Sequence, residues 1–283
     1  MNRFLLLMAL PLLLFACQKN NELAKQSKQT SSSRLATNQT IKLHKAWASY
    51  GWVYHGAFTK RKTFYVEVAN LAYDKKVYVH HKMADGTWED FELSYVSSIG
   101  NNTELWSYNY EFAGYSNPYM DKSFGDEFVL KYVVNGQTYW DNNSGANYRM
   151  GNNDGMLFAN DLFVSTDLKG TYCYLYPGQT SSSFYVVVDV KNLAYDKQVN
   201  IVYTTDGWKT TQTTPLQYTS TYAISSGGYV TSPNVFGVER WIKTISLPVT
   251  VNNVEFAVSY KVNGQEYWDN NFGKNHKITV IRY

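Results

Sequence analysis

The chain has 283 residues, and its 8 Trp, 25 Tyr and 14 Phe make the aromatic share, 17%, equal to the charged share. That many rings exclude disorder over most of the length, while a mixture rich in Tyr, Thr, Val and Asn and poor in Leu, Ala and Glu excludes a helical bundle. The formal charge of +3 excludes a nucleic-acid binder once it is divided. Five Lys/Arg against one Glu give +4 in residues 1–40, 11 basic against 14 acidic residues give −3 in 41–165, and 10 against 8 give +2 in 166–283. No basic face is left for a phosphate backbone. Five His and two Cys leave little material for a multi-metal protein, and nothing calls for a cofactor.

Taken in chain order, Arg3 precedes an apolar run from Phe4 to Ala16, too short to span a bilayer and the size of a secretory h-region. It ends in Leu14-Phe15-Ala16-Cys17, which resembles the bacterial lipobox. The resemblance implies a signal peptide at 1–16, acylation of Cys17, and an exported protein held to the cell envelope by lipid. Gln18 after Cys17 favours the outer membrane, with the face left open. Residues 17–40 lack aromatics and any sustained apolar period, so they read as a flexible tether spanning roughly 25 Å. With Cys17 acylated, Cys173 has no intramolecular partner and reads as a small buried hydrophobe.

Beyond residue 40 the chain repeats itself. Asn70-Leu71-Ala72-Tyr73-Asp74-Lys75-Lys76-Val77 returns as Asn192-Leu193-Ala194-Tyr195-Asp196-Lys197-Gln198-Val199, and VNGQTYWDNNSGAN (134–147) returns as VNGQEYWDNNFGKN (262–275). A period this long means whole domains in tandem, assigned to 41–165 and 166–283. Within each copy, alternation at Phe64, Val66 and Val68, and at Phe184, Val186, Val188 and Val190, predicts strands with one face in a core. Asn135-Gly136 and Asn263-Gly264 predict two-residue type I′ hairpins. About eight strands per copy predict an all-β fold: two tandem antiparallel immunoglobulin-like β-sandwiches.

The ordered motifs NLAYDKxV, a Trp in DGTWED or TDGWKT, EFxxxY and NGxxYWDNNxGxN, each occurring twice, resemble carbohydrate-binding module family 21 over nearly all of 60–149 and 180–283. The family groups starch- and glycogen-binding modules. The resemblance implies one glucan site lined by Trp88 and Trp140, and by Trp208 and Trp268, with loop amides Asn142, Asn143 and Asn147, or Asn270, Asn271 and Asn275, bonding hydroxyls. It implies a second site at Tyr73 and Tyr195, with Lys75 and Lys197 as hydroxyl donors. The chemistry agrees, because a sugar ring offers an apolar C–H face and a hydroxyl rim, which flat rings flanked by amides match. Some family members carry another aromatic where this chain has Val129 and Ala257, so a three-ring cradle is not expected.

Each residue also has a structural role open to it. Trp88 or Trp208 suits a buried sandwich core, Tyr73 and Tyr195 suit loop packing, and Asp141 and Asp269 suit bracing of the turn. His80-His81 is not a metal pair, since neighbours in a strand face opposite ways; His81 shares a face with Val77 and Val79 and reads as a hydrogen-bonded core residue. No GxSxG, HExxH, P-loop or dinucleotide fingerprint occurs, and the repeated acids lie beside turns, so the protein reads as no enzyme. The expected partner is α-glucan polysaccharide, with the membrane contacted through the lipid. An envelope adhesin or protein-binding module on the same scaffold is the rival. The phosphatase-docking peptide of animal family members is missing: Lys76-Val77-Tyr78-Val79 fails at its last position.

Overall fold

The computed structural model describes residues 39–52, 57–115, 124–166, 174–178, 180–225 and 228–280. The expected signal peptide, Cys17, all but the last two residues of the tether, and Cys173 lie outside these residues. Among the described residues the regular structure is all strand apart from one short 3-10 turn at Asn143–Gly145, and the strand pairs are antiparallel.

Among the described residues ten strands form the first sandwich: β1 (Ile41–Trp52), β2 (Ala57–Ala69), β3 (Lys75–Met83), β4 (Trp88–Glu92), β5 (Ser94–Gly100), β6 (Thr103–Tyr115), β7 (Phe124–Val134), β8 (Gln137–Asp141), β9 (Tyr148–Arg149) and β10 (Met156–Phe158). One sheet runs β10-β1-β2-β6-β5, the other β4-β3-β7-β8 with β9 also on β7. The second copy follows with β11 (Val164–Thr166), β12 (Tyr174–Pro177), β13 (Ser181–Lys191), β14 (Lys197–Thr204), β15 (Gln212–Pro215), β16 (Gln217–Thr219), β17 (Thr221–Ser225), β18 (Gly228–Thr231), β19 (Val238–Pro248), β20 (Asn253–Val262), β21 (Gln265–Asp269) and β22 (His276–Thr279). Its sheets are β11-β13-β19-β16, with β12 on β13, and β15-β14-β20-β21, with β22 on β20. β11 enters the second sandwich at Val164, opposite Val190, just as Ile41 lies opposite Val68. Val164 and Ser165 thus belong to the second module, although the span 41–165 gave them to the first.

The expected alternation fills each core. Phe64, Val66 and Val68 are buried with Phe128, and Phe184, Val186, Val188 and Val190 with Phe256. The Phe64 and Phe128 rings meet edge-on at 5.0 Å, and Phe184 meets Phe256 at 5.3 Å. Two buried tyrosines repeat a single device: the Tyr132 hydroxyl donates to the Ala69 carbonyl at 2.8 Å, and Tyr260 donates to Lys191 at 2.5 Å. Each thereby satisfies a carbonyl where the second strand of the repeat ends. The β7–β8 and β20–β21 hairpins turn on Asn135 (φ 51°) with Gly136 (φ 71°) and on Asn263 (φ 52°) with Gly264 (φ 72°), two successive positive φ angles as a type I′ turn requires.

A third apolar cluster joins the modules. Trp47, Tyr65, Leu105, Met156 and Phe158 of the first sandwich pack with Leu162 and with Val238 of the second, against Phe236 and Phe272. Polar contacts tie the same faces: Lys45 Nζ donates to Ser165 Oγ at 2.8 Å, Asn234 Nδ2 to the Met156 carbonyl at 2.8 Å, and Lys191 Nζ to the carbonyls of Ala159 and Asn160 at 2.7 and 2.6 Å. The β17–β18 hairpin has no counterpart in the first copy, where Asn101 and Asn102 alone connect β5 to β6. It packs along β1, with Tyr222 and Val230 buried. The two sandwiches are therefore docked through a built interface.

Candidate functional site

The outer face of the β4-β3-β7-β8 sheet carries the first group of rings. Register places Trp140 opposite Lys131 and Lys131 opposite Tyr78, while His80 stands opposite Val129 on one side and Asp90 on the other, and Trp88 stands opposite Lys82. Trp88 and Trp140 stay open to solvent, 36% and 49% exposed. His80 brings them together: it stacks on Trp88 (5.0 Å, 15°) and meets Trp140 edge-on (5.5 Å, 76°). Its Nδ1 lies 2.7 Å from Asp90 Oδ1, and Lys131 Nζ donates to Asp90 Oδ2 at 2.5 Å while lying over the Trp140 and Tyr78 rings. Burial works against the Asp90 charge, but the hydrogen bonds from Lys131 and His80 outweigh it and hold the carboxyl below its usual range.

In the second module Trp268 is opposite Ser259, and Trp208 lies in the β14–β15 loop; both are half-buried. Trp208 sits at φ 69°, a conformation unfavourable for a non-glycine residue, and is pinned there. Its Nε1 donates to Glu255 Oε2 at 2.8 Å and its backbone N–H to Thr204 Oγ1 at 3.1 Å. Neither Trp88 nor Trp208 fills a core.

The loops after β8 and β21 have a shared frame. Asp141 accepts the Asn143 and Leu43 backbone N–H groups and the Tyr148 hydroxyl; Asp269 accepts those of Asn271 and Thr166 and lies 2.9 Å from His276 Nε2. Both aspartates brace the turn, as expected, and fasten it to the first strand of their own sandwich. Asn143, Asn147, Asn271 and Asn275 adopt positive φ, which Asn tolerates better than most residues. Asn143 Nδ2 donates to the Asn147 carbonyl, Asn271 Nδ2 to that of Asn275, and Asn147 Nδ2 to Glu127 Oε1. These amides shape the loop first, and the side-chain oxygens of Asn143 and Asn271 accept no hydrogen bond from the described residues. Asn142 is exposed, its Oδ1 capping the Gly145 N–H.

Asn270 does not fit the role assigned to it. It is 3% exposed, and its Oδ1 accepts the Gly273 N–H. The reason lies in the docking of the modules: Phe272, two residues on, packs against the inter-module cluster and the His44 ring (5.7 Å), and Lys274 donates to the Ser98 carbonyl. Lys75 and Lys197 are corrected as well. Lys75 Nζ donates to Asn70 Oδ1 and to Glu104 Oε2 (2.9 Å), and Lys197 Nζ to Asn192 Oδ1 (2.6 Å) and Glu239 Oε2 (2.8 Å). Both side chains are nearly buried. They are structural ion pairs and do not reach out to a ligand.

Those ion pairs frame the second group of rings. Tyr73 is fully exposed and Tyr195 is 98% exposed, which removes loop packing as their role. Beside each turn, the same glutamate that binds the lysine also accepts a Trp indole: Trp106 Nε1 to Glu104 at 3.0 Å, Trp241 Nε1 to Glu239 at 3.3 Å. Exposed Tyr95 meets Trp106 edge-on at 5.9 Å, and exposed Tyr218 meets Trp241 in the same way at 5.9 Å. Tyr95, Trp106, Tyr218, Trp241 and His80 were not among the residues expected at these sites. Carrying the repeat alignment past the β17–β18 insertion pairs the first four, and strand parity alone puts His80 on the same face as Trp140.

The model of the carbohydrate/starch-binding module family 21 matches residues 57–151 and 172–279. Protein phosphatase 1 regulatory subunit 3B of Rattus norvegicus is 43% identical over 96 residues, 32% of this chain and 30% of that protein. GLC7-interacting protein 2 of Saccharomyces cerevisiae is 35% identical over 97 residues, 32% of this chain and 17% of that protein. The chain thus spans less than a third of the length of these relatives. Among solved structures, the starch-binding domain of Rhizopus oryzae glucoamylase with β-cyclodextrin and maltoheptaose is 26% identical and covers 42% of this chain and 99% of its own, with a TM-score of 0.31. With more than half of its length matched in two ordered segments, the chain belongs to the carbohydrate/starch-binding modules of family 21, and carries two of them in tandem.

Proposed function

We propose that the protein binds starch-like or glycogen-like α-glucan without cleaving it, through two tandem modules on an exported protein anchored to the bacterial envelope by lipid on Cys17. The observation that supports this best is the duplication of exposed rings. Tyr73 and Tyr195 lie bare in equivalent turns beside equivalent Tyr–Trp pairs, and Trp140 and Trp268 stand at equivalent register positions on the two outer sheet faces. Burying one such side chain is worth about 1.5–3 kcal/mol, so leaving rings in water at equivalent places in both copies suits a polymer with an apolar sugar face.

A non-catalytic role fits the electrostatics. A glycosidase needs one carboxyl kept protonated by a raised pKa, yet Asp90, Glu127 and Glu255, three carboxylates on these sheets, are shifted the other way. Asp90 is lowered as described; Glu127 is lowered by the Asn147 hydrogen bond and by Arg149, and Glu255 by Lys277 and Trp208. The match to phosphatase subunits covers only a segment of each, so phosphatase recruitment is no part of the proposal. Affinity electrophoresis in gels containing glycogen, amylopectin or a β-glucan tests the reading. Retardation by the two α-glucans alone is expected, and equal mobility in all three gels overturns it.

A further inference from the structure

Beyond the loop position of Trp208, the two Trp groups differ on the sheet itself. Where the first module has His80, Asp90, Lys131 and Tyr78, the equivalent register positions of the second hold Val202, Thr213, Ser259 and Asn200. We propose that His80 is the third ring of the first platform, so that the first module holds a glucose unit against Trp88, Trp140 and His80, while the second has no ring at the equivalent Val202. The inference rests on the α-glucan reading above and deepens it.

His80 lies nearly parallel to Trp88 and nearly perpendicular to Trp140, so the three rings form an angled cradle above Val129, where the strand itself offers no aromatic. The ring is held in place: Asp90 fixes Nδ1, and Lys131 fixes Asp90 while resting over Trp140. Nε2 has no protein partner among the described residues and is left to bond a sugar hydroxyl. Folding does not require the network. Its members are partly exposed, where ion pairs contribute about 0–1 kcal/mol, and the second module builds the same sheet with Val202, Thr213 and Ser259.

The test uses the full-length chain in mild detergent, carrying Tyr73→Ala, Tyr195→Ala, Trp208→Ala and Trp268→Ala so that the first platform dominates. Calorimetry gives the Kd for a long malto-oligosaccharide. His80→Val, which copies the second module, is expected to weaken binding about 5- to 10-fold, and His80→Phe to recover most of that loss. Equal affinity of His80→Val and its parent overturns the inference, as does a His80→Phe variant no better than His80→Val. A parent that binds no glucan, together with a wild-type chain that binds none, overturns the α-glucan reading itself and the inference with it, a result distinct from equal binding by all variants.

Discussion

His81 lies fully buried in the first core, its ring stacked on Phe124 and Phe128 and edge-on to Phe64. Its Nδ1 is 2.8 Å from the Lys82 carbonyl, and its Nε2 has no partner. Burial, then the nearby charge of Lys62, push its pKa down to about 3. A base with a depressed folded-state pKa costs nothing above its unfolded value, near 6.5. As pH falls below that value the unfolded chain takes up the proton first and stability is lost. Between pH 7 and pH 5 this amounts to about 2 kcal/mol. The second copy has Tyr203 here, so His81→Tyr is expected to flatten the fall of the thermal midpoint between pH 7 and 5; an unchanged slope contradicts the assignment. Lys62 follows the same rule at higher pH. Buried and donating to the Gly125 and Met150 carbonyls, it is lowered to about 8, chiefly by desolvation. The folded chain gives up that proton before the unfolded one, so its destabilising share fades as pH rises from about 8 towards 10.5. Lys62→Met is expected to remove that rise in denaturant midpoint.

At the scale of elements, the strands, the NG hairpins and the bracing aspartates were legible because each is a local rule: period-two alternation, two positive φ angles, and an Asx side chain reaching nearby backbone. The Trp pairs and the exposed tyrosines were legible through the repeat. What escaped depends on contacts remote in sequence. The commitment of Lys75 to Glu104, of Lys197 to Glu239, and of the Asn270 loop to the other module are tertiary events that spacing cannot show. The β17–β18 hairpin escaped too, because an insertion reads as a gap in the repeat. Gly155 shows how tightly that hairpin fits. At φ 81°, a β-carbon there would come within 2.7 Å of the Tyr222 hydroxyl and 2.8 Å of Val230 and Asn234. Gly155→Ala is expected to loosen the joint and cost about 1–3 kcal/mol, seen as a lower thermal midpoint and faster proteolysis between Phe158 and Val164. An unperturbed variant argues against the clamp.

At the scale of the whole molecule, a docked pair of modules holds its rings in a fixed relation, which suits a polymer carrying many equivalent units. A second weak contact made by the same chain then raises apparent affinity by about 10²–10⁴ when both sites reach one polymer. The two modules are not copies in function on this account, since the first keeps its Asn loop exposed while the second spends its loop on docking. The most direct check is the Kd for glycogen of the wild-type chain and of Trp140→Ala/Trp268→Ala, measured beside their thermal midpoints. The account predicts binding weakened about tenfold or more at an unchanged midpoint. Undiminished binding by the double variant would contradict it.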